Sequence, residues 1–336
     1  MSEYIRIASA KMQNEFERIL LNNYFDPETA KTCAQIFTDN SLDGVYSHGV
    51  NRFIGFIDYV KAGHIVPTAR PEKIRSNGAL EQWHGHLGPG PLNALSCAQR
   101  ATELAHQFGI GCVALSHTNH WMRGGYYAWD AVKRGCAYIS WANTKANMPA
   151  WGARDCRLGN NPLVLAVPLD QDAIVLDMAM SQYSYGAIAN HQHQNQPLQV
   201  PGGYNEQGQL TTDAGEILKS ERALPMGYWK GAGLSLLLDI LASVLSDGLA
   251  TYQISQQQVE TANSNIFIAF DLNHHGRGRS TGELIKNIID DYLLSTPDTQ
   301  QSQIHYPGQK VLQLRVENMQ YGVPVLTTIW QRILAL

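Results

Sequence analysis

GCVALSHTNHWMRGGYYAWDAVKRGCAYISWAN, residues 111–143, changes its periodicity twice. GCVALSH is a short apolar run of strand length. YYAWDAVKRG spaces its apolar residues at helical intervals and stops on a glycine. CAYISWAN is again of strand length. Strand, helix and strand in close succession predict an α/β domain. The same alternation extends in both directions. ALEQWHG (79–85) reads as a strand and PLNALSCAQRATELAHQFG (91–109) as a helix ended by Gly109. LVLAVPL (163–169) and AIVLDMAM (173–180) are strands joined by a turn at DQD. IFIAFDL (266–272) is a further strand, and ELIKNIIDDYLLS (283–295) a helix.

Residues 2–63 read as helical. FERILLNNY (16–24) repeats apolar residues at helical spacing. DPETAKTCAQIFTDNSL (26–42) opens with Asp26 as N-cap and Pro27 at the first helical position. A third helix should carry His48 and Arg52 and run to Ala62, with Gly63 as its stop and either Asp43 or Ser47 at its start. VPVLTTIWQRILAL (323–336) reads as a terminal helix. The expected division is a helical region 1–75, packed with a C-terminal helix 318–336, and an α/β cofactor- and substrate-binding region 76–317. Residues 187–222 are polar and glycine-rich and read largely as loop. GAGLSLLLDILASVL (231–245) is too short to span a bilayer and contains Asp239, so it reads as a buried helix inserted in the α/β region.

The chain has 336 residues, of which 44% are hydrophobic and 16% charged, enough for a sizeable core. Its net charge of −4 gives no electrostatic support for a nucleic-acid or acidic-membrane partner. Cys33, Cys97, Cys112, Cys136 and Cys156 are scattered, without a C-x-x-C, as in reduced cytoplasmic proteins. MSEYIRIASA shows no secretory pattern.

Candidate chemistry concentrates in a few stretches. GVYSHGVNRF (44–53) sets His48 four residues before Arg52, on one face of a helix. Two groups that can both be cationic repel mildly there, unless an anion uses them. The competing reading is a solvated polar face with a neutral histidine. SHTNHWMRGGYY (116–127) follows a strand, where α/β proteins place ligands, and offers His120 as a substrate contact. Alternatively, it is a glycine-rich turn whose histidines satisfy backbone groups. WGARDCRLGNNPL (151–163) is a polar loop entering a strand. In LPMGYWKGAG (224–233), Trp229 and Lys230 could cover a flat ligand and reach a phosphate, or cap the core and face water.

Common fingerprints are missing. There is no G-x-G-x-x-G, P-loop or G-x-S-x-G, and GRGRSTG (276–282) reads as a loop. His84/His86 and His191/His193 lack the companions of a metal motif and read as surface or loop histidines, so no metal is expected. A metal-dependent hydrolase or lyase is the reading from another class, and a non-catalytic sugar-acid binder is a further one.

Together GVYSHGVNRF, EQWHG, NHWMRGG, WGARDCRLGNNPL, VLDMAMS, LPMGYWKG, LSDG and IFIAF resemble the type 2 malate/L-lactate dehydrogenase family, in the same order along nearly the whole chain. The resemblance implies an α/β fold with a mixed-sheet core, a non-Rossmann dinucleotide site and a helical N-terminal region. It implies a homodimer with active sites near the subunit interface. The reaction implied is reduction of a 2-oxo acid by NADH, with NADPH as the alternative. Its substrate would be 2,3-diketo-L-gulonate, or else malate, lactate, another 2-hydroxy acid or a cyclic imino acid. His48 would donate the proton and Arg52 hold the carboxylate. Ala173, Ile174, Val175, Leu176, Asp177, Met178 and Ala179 would line the dinucleotide site, with Trp229, Lys230, Gly308, Gln309 and Lys310. One departure stands out: relatives tend to carry an acidic residue in the last turn, where PGQK places Lys310. The chemistry suits the opening pair. Arg52 can grip a carboxylate as a planar fork, and His48 can protonate the adjacent oxygen, a contribution of about 10²–10⁴ in rate.

Overall fold

Asp26 and Pro27 start a helix as their order predicts. The Asp26 carboxylate accepts the Thr29 N–H at 3.1 Å. In the computed structural model, which describes residues 4–169, 172–274, 281–298 and 303–336, this helix is α2 (Pro27–Leu42). It packs against α1 (Ser9–Asn22) and α3 (Val50–Lys61). Their apolar stripes meet in an aromatic centre, where Phe16 stacks on Phe53 at 4.0 Å and Phe37 meets Phe53 edge-on at 5.2 Å.

Two readings of the termini are corrected. Residues 4–7 form a strand, β1 (Tyr4–Ile7), and not the start of a helix. The expected helix 318–336 is three elements. They are α11 (Gln309–Tyr321), β13 (Val323–Leu326) and α12 (Thr327–Leu334). Gly322, at φ +86°, ends α11, and a side chain there would meet the Ile7 backbone at 3.0 Å. The extended VPVL then pairs antiparallel with β1.

The central sheet runs, edge to edge, β2 (Glu72–Asn77), β3 (Leu80–His84), β4 (Ile110–Thr118), β12 (Asn263–Asp271), β5 (Cys136–Ala142), β8 (Leu163–Leu169) and β9 (Asp172–Met178). Only β3 and β4 pair in parallel, so the sheet is mixed. α4 (Gly90–Phe108), which Gly109 ends at φ +84°, and α5 (Gly124–Lys133) bury one face against Val113, Tyr138 and Phe267. α8 (Trp229–Ser246) covers the other against Ala114, Trp141 and Ile266. β2 escaped the sequence reading because EKIRSN is exposed along its whole length and has no apolar alternation; its ladder to β3 holds it.

Two stretches read as loop carry structure. Cys156–Gly159, within 151–163, is strand β7, paired with β6 (Ala146–Pro149). Residues 187–222 include most of α6 (Tyr185–His193), a small hairpin of β10 (Gly203–Tyr204) and β11 (Leu210–Thr211), and α7 (Ala214–Ser220). Ile188, Leu198, Ala214 and Ile217 form their core, too few apolar residues to set a visible period. Ser184 and Asp213 cap the two helices. α8 is also not a buried helix. Ala232, Leu238 and Ala242 face the sheet, while Leu236, Leu237, Ile240, Leu241 and Val244 are exposed in the single chain. α9 (Thr251–Ile254) and α10 (Thr281–Leu293) complete the fold. The DQD turn and the GRGRSTG loop lie mostly outside the described residues.

Candidate active site

His48 and Arg52 do not share one helix. His48 ends a 3₁₀ turn, Tyr46–His48, and α3 begins at Val50. Gly49 makes the break. A Cβ there would lie 2.3 Å from Ser41 Oγ, so the chain passes against α2 at a distance only glycine allows. Ser41 Oγ accepts the Val50 N–H at 2.8 Å, and Asn40 Nδ2 donates to the His48 carbonyl at 3.0 Å. The start of α3 is thus served by Ser41, not by Asp43 or Ser47. Ser47 Oγ instead lies 3.1 Å from His48 Nδ1.

The loop after β4 brings His120 to His48. Asn119 fixes this loop by donating its Nδ2 to the carbonyls of His64, Leu87 and Gly88, at 3.1, 2.8 and 3.2 Å. The His48 and His120 rings lie nearly parallel, 5.6 Å apart and 20° from coplanar. His120 Nδ1 accepts the Met122 N–H at 3.0 Å, which leaves the proton of the neutral ring on Nε2.

The two glycines of MRGGYY begin α5 and admit β9. Gly125 N–H donates to Asp177 Oδ2 at 2.8 Å, an anion at a helix N-terminus. A Cβ on Gly125 would stand 2.8 Å from that oxygen. Arg123 is buried, ion-paired with Asp43, and its Nε lies 3.7 Å from Asp177. Arg315 of α11 joins the same network, 2.6 Å from Asp43 and 2.5 Å from Asp39.

This environment sets the histidines. Burial pushes His48 from 6.5 down to about 4, with Asp177 opposing and Arg52 and Arg123 adding to the fall. Burial, His48 and Arg52 hold His120 well below its ordinary value. Both are neutral at pH 7 in the free protein.

A cavity of about 390 Å³ opens beside this pair. Val175, Leu176, Asp177 and Ala179 line it, facing Gly308 and Val311. The Val175 N–H donates to the Pro307 carbonyl at 3.1 Å, and Gly308 sits at φ +93° where a Cβ would be 3.2 Å from Val175 N. Part of the segment 173–179 and the Pro307–Gly308 part of the PGQK turn thus line the cavity that His48 lines. Within that segment, Ala173 is buried under α5, and Met178 packs on the α8 side. Ile174 is not on the cavity wall. Gln309 pairs with His305 at 3.2 Å, and Lys310 is exposed in the first turn of α11. Trp229 and Lys230 stand exposed at the start of α8, away from this cavity, with Lys230 Nζ 6.0 Å from the Trp229 ring centre. Arg52 lines a small niche on the other side of His120, and its guanidinium makes no hydrogen bond or ion pair among the described residues.

The expected surface histidines form another arrangement. His84 lies between His86 and His117, at 4.3 and 4.6 Å, and His86 reaches Glu72 at 3.1 Å. His191 and His193 belong to α6. Among the described residues no group of three or more His, Cys, Asp or Glu side chains is placed to hold a metal ion.

A family model described as malate/L-lactate dehydrogenase matches residues 7–334. The 2,3-diketo-L-gulonate reductases of Pasteurella multocida (strain Pm70) and Escherichia coli (strain K12) are each 41% identical, over 99% of this chain and the whole of theirs. The crystal structure of malate dehydrogenase from Entamoeba histolytica shares the fold, with a TM-score of 0.93 at 21% identity over 98% of this chain and 96% of that one. With a mixed sheet in place of a Rossmann fold and a match from end to end, the chain belongs to the malate/L-lactate dehydrogenase family of oxidoreductases.

Proposed function

We propose that this protein reduces 2,3-diketo-L-gulonate at its 2-oxo group, using NADH in preference to NADPH. The observation that carries the reading is the stacked His48–His120 pair, opening on one side to the cavity of β9 and residues 307–308 and on the other to the unpaired Arg52 guanidinium. The name shared by the full-length relatives supports the choice of substrate.

The residues present fit the nicotinamide end of a dinucleotide. The cavity is within the range of small-ligand pockets. Val175, Leu176, Ala179 and Val311 offer apolar walls, and Gly308 keeps its space clear of a side chain. When bound, the nicotinamide supplies a hydride to the carbonyl carbon. Arg52 grips the substrate carboxylate through its planar fork. His120 presents Nε2–H to the carbonyl oxygen and orients it. His48 delivers the proton that converts the developing alkoxide to a hydroxyl. Asp177 favours the charged form of His48.

A homodimer belongs to this reading. The exposed row Leu236, Leu237, Ile240, Leu241 and Val244 on α8 is the kind of apolar face that subunit contacts cover. Trp229 and Lys230 begin the same helix, so their cofactor contacts would be made across that interface. The five free cysteines support a reducing, cytoplasmic setting.

The test follows absorbance at the nicotinamide band with NADH and NADPH, across 2,3-diketo-L-gulonate, oxaloacetate, pyruvate and a cyclic imino acid, with and without chelator. Chelator-insensitive NADH oxidation with the highest kcat/KM on 2,3-diketo-L-gulonate is expected. A clear preference for another oxo acid refutes the substrate, and dependence on metal refutes the mechanism.

A further inference from the structure

On the far side of His120 from the reaction cavity lies a niche of about 20 Å³, room for one water or one hydroxyl group. Its polar groups are Arg52, Asn119, His120 and Glu260, and Phe56 and Ile65 form part of its apolar wall. His120 lines both spaces, so a carbon chain that continues beyond the reacting carbonyl leads past His120 into this niche.

One acceptor there is buried and unmet, and a carboxyl stands beside it. Asn119 is 2% exposed and commits its Nδ2 to three backbone carbonyls, yet its Oδ1 accepts no hydrogen bond. Native proteins rarely leave a buried acceptor unmet. Glu260 is held by a distorted stretch of chain: Ala262 sits at φ +58°, and β12 is irregular between Asn263 and Asn265. Asn263 Nδ2 donates to Glu260 Oε1 at 3.1 Å and to the Asn143 carbonyl at 2.9 Å. With a backbone hydrogen bond from Lys145 this fixes the carboxyl, and the lone pairs of a carboxylate leave it able to accept one more donor. Such local strain is characteristic of functional positions. Glu260 also lines the adjoining cavity of about 800 Å³, which Lys145 and Arg222 share, so the path beyond the niche is open and polar.

We propose that Glu260, together with Asn119 Oδ1, is a hydroxyl-reading subsite that selects polyhydroxylated 2-oxo acids over short and dicarboxylic ones. The inference rests on the 2-oxo acid reductase reading above. A hydroxyl on the chain donates to the Glu260 carboxylate, a charge-assisted hydrogen bond. A methyl group in its place leaves Asn119 Oδ1 without a donor and Glu260 one hydrogen bond short, which a polar site penalises. A second carboxylate, as in oxaloacetate, meets the like charge of Glu260.

The experiment compares wild type, Glu260→Gln and Glu260→Ala with NADH and four substrates: pyruvate, 3-hydroxypyruvate, oxaloacetate and 2,3-diketo-L-gulonate. Thermal melting checks that each variant folds, and Glu260→Gln decides if Glu260→Ala does not. The ratio of kcat/KM for 3-hydroxypyruvate to that for pyruvate should fall about tenfold in Glu260→Ala and severalfold in Glu260→Gln. The oxaloacetate-to-pyruvate ratio should rise severalfold in both. Ratios unchanged within about twofold overturn the subsite, as does an equal loss on all four substrates. If wild type reduces 3-hydroxypyruvate but not 2,3-diketo-L-gulonate, the substrate assigned above is wrong, and the hydroxypyruvate ratio alone decides the subsite. Wild type that reduces none of the four overturns both.

Discussion

Binding of an oxo-acid anion should draw a proton onto His48. In the free protein the imidazole sits at about 4 instead of 6.5, through burial, Arg52 and Arg123. At pH 6.5 only about 0.3% of molecules then carry the proton, and the bias against it is roughly 3 kcal/mol. A substrate carboxylate held by Arg52 changes this balance. At a separation of about 5 Å and an effective dielectric of about 20, its attraction for imidazolium is about 3 kcal/mol. The two quantities match, so His48 should return close to its ordinary value and take up about half a proton per site at pH 6.5. The acid is then charged only when there is an oxo acid to protonate. The assay is calorimetric titration of oxamate, which cannot be reduced, into NADH-loaded protein. It is run at pH 6.5 in buffers of different ionisation enthalpy, and the slope of apparent enthalpy against buffer enthalpy counts the protons. A slope of zero in wild type, or an undiminished slope in His48→Gln, would refute the reasoning.

Other outcomes follow from the same geometry. His48→Gln should lower kcat by about 10²–10⁴ with NADH affinity, read by fluorescence, kept within about twofold; near-normal turnover at pH 7 removes His48 from the chemistry. Arg52→Lys should raise KM for oxo acids about tenfold, because the charge remains but the planar fork is lost, and an equal effect on simple ketones contradicts a carboxylate clamp. Gly49→Ala forces a Cβ to 2.3 Å from Ser41 Oγ and 2.9 Å from Ser41 N, so the turn carrying His48 must shift. A loss of about 100-fold in kcat is expected there, and a wild-type rate would show that the turn position is not demanding. Lys310→Glu, at an exposed position in the first turn of α11, should lower the NADPH-to-NADH ratio of kcat/KM severalfold, more at low salt; an unchanged ratio means that Lys310 does not meet the cofactor.

Much of the scaffold was legible because its signals are local. The Asp26–Pro27 helix start, the Gly109 stop and the strand–helix–strand run of 111–143 are each decided by a few adjacent residues. What escaped depends on partners far along the chain. β1 exists because β13, more than 300 residues away, pairs with it. The break between His48 and Arg52 was invisible because Gly49 reads as a mild helix defect until Ser41 is seen against it. The site shows the same division. His48, Arg52 and His120 stood out as chemically unusual neighbours in short motifs. Asp43 looked like a helix cap, yet it binds Arg123 and Arg315, 80 and 272 positions away. Glu260 sits in a polar turn with no motif around it. Trp229 and Lys230 fit a ligand-binding pattern, but a single chain leaves them on the opposite side of the sheet from His48.

The buried charges beneath the cavity explain why a neutral His48 is compatible with an acid's role. Asp39 and Asp43 are paired with Arg315 and Arg123, and Arg123 Nε also lies 3.7 Å from Asp177, while Arg52 stands outside this network. Asp177 draws a proton toward His48, and burial, Arg52 and Arg123 oppose it. Removing one member of such a paired set costs about 3–5 kcal/mol where it is buried, so the network does not adjust by rearrangement. An entering carboxylate held by Arg52 offsets one of the charges that oppose the imidazolium. His48 is the group beside Arg52 and Asp177 whose charge can change near neutral pH, and the bound anion favours its protonation. The frame that suppresses the imidazolium in the empty site is therefore the frame that makes its formation favourable once the oxo acid is bound. On this account, Asp43→Asn should lower both stability and the protonated fraction of His48, because Arg123 opposes the imidazolium and Asp43 is its partner. It leaves Arg123 with only the longer contact to Asp177, and the expected result is a fall in Tm together with a smaller proton uptake on oxamate binding. A variant that melts like wild type and takes up the same fraction of a proton would show that the network does not set the charge of the site.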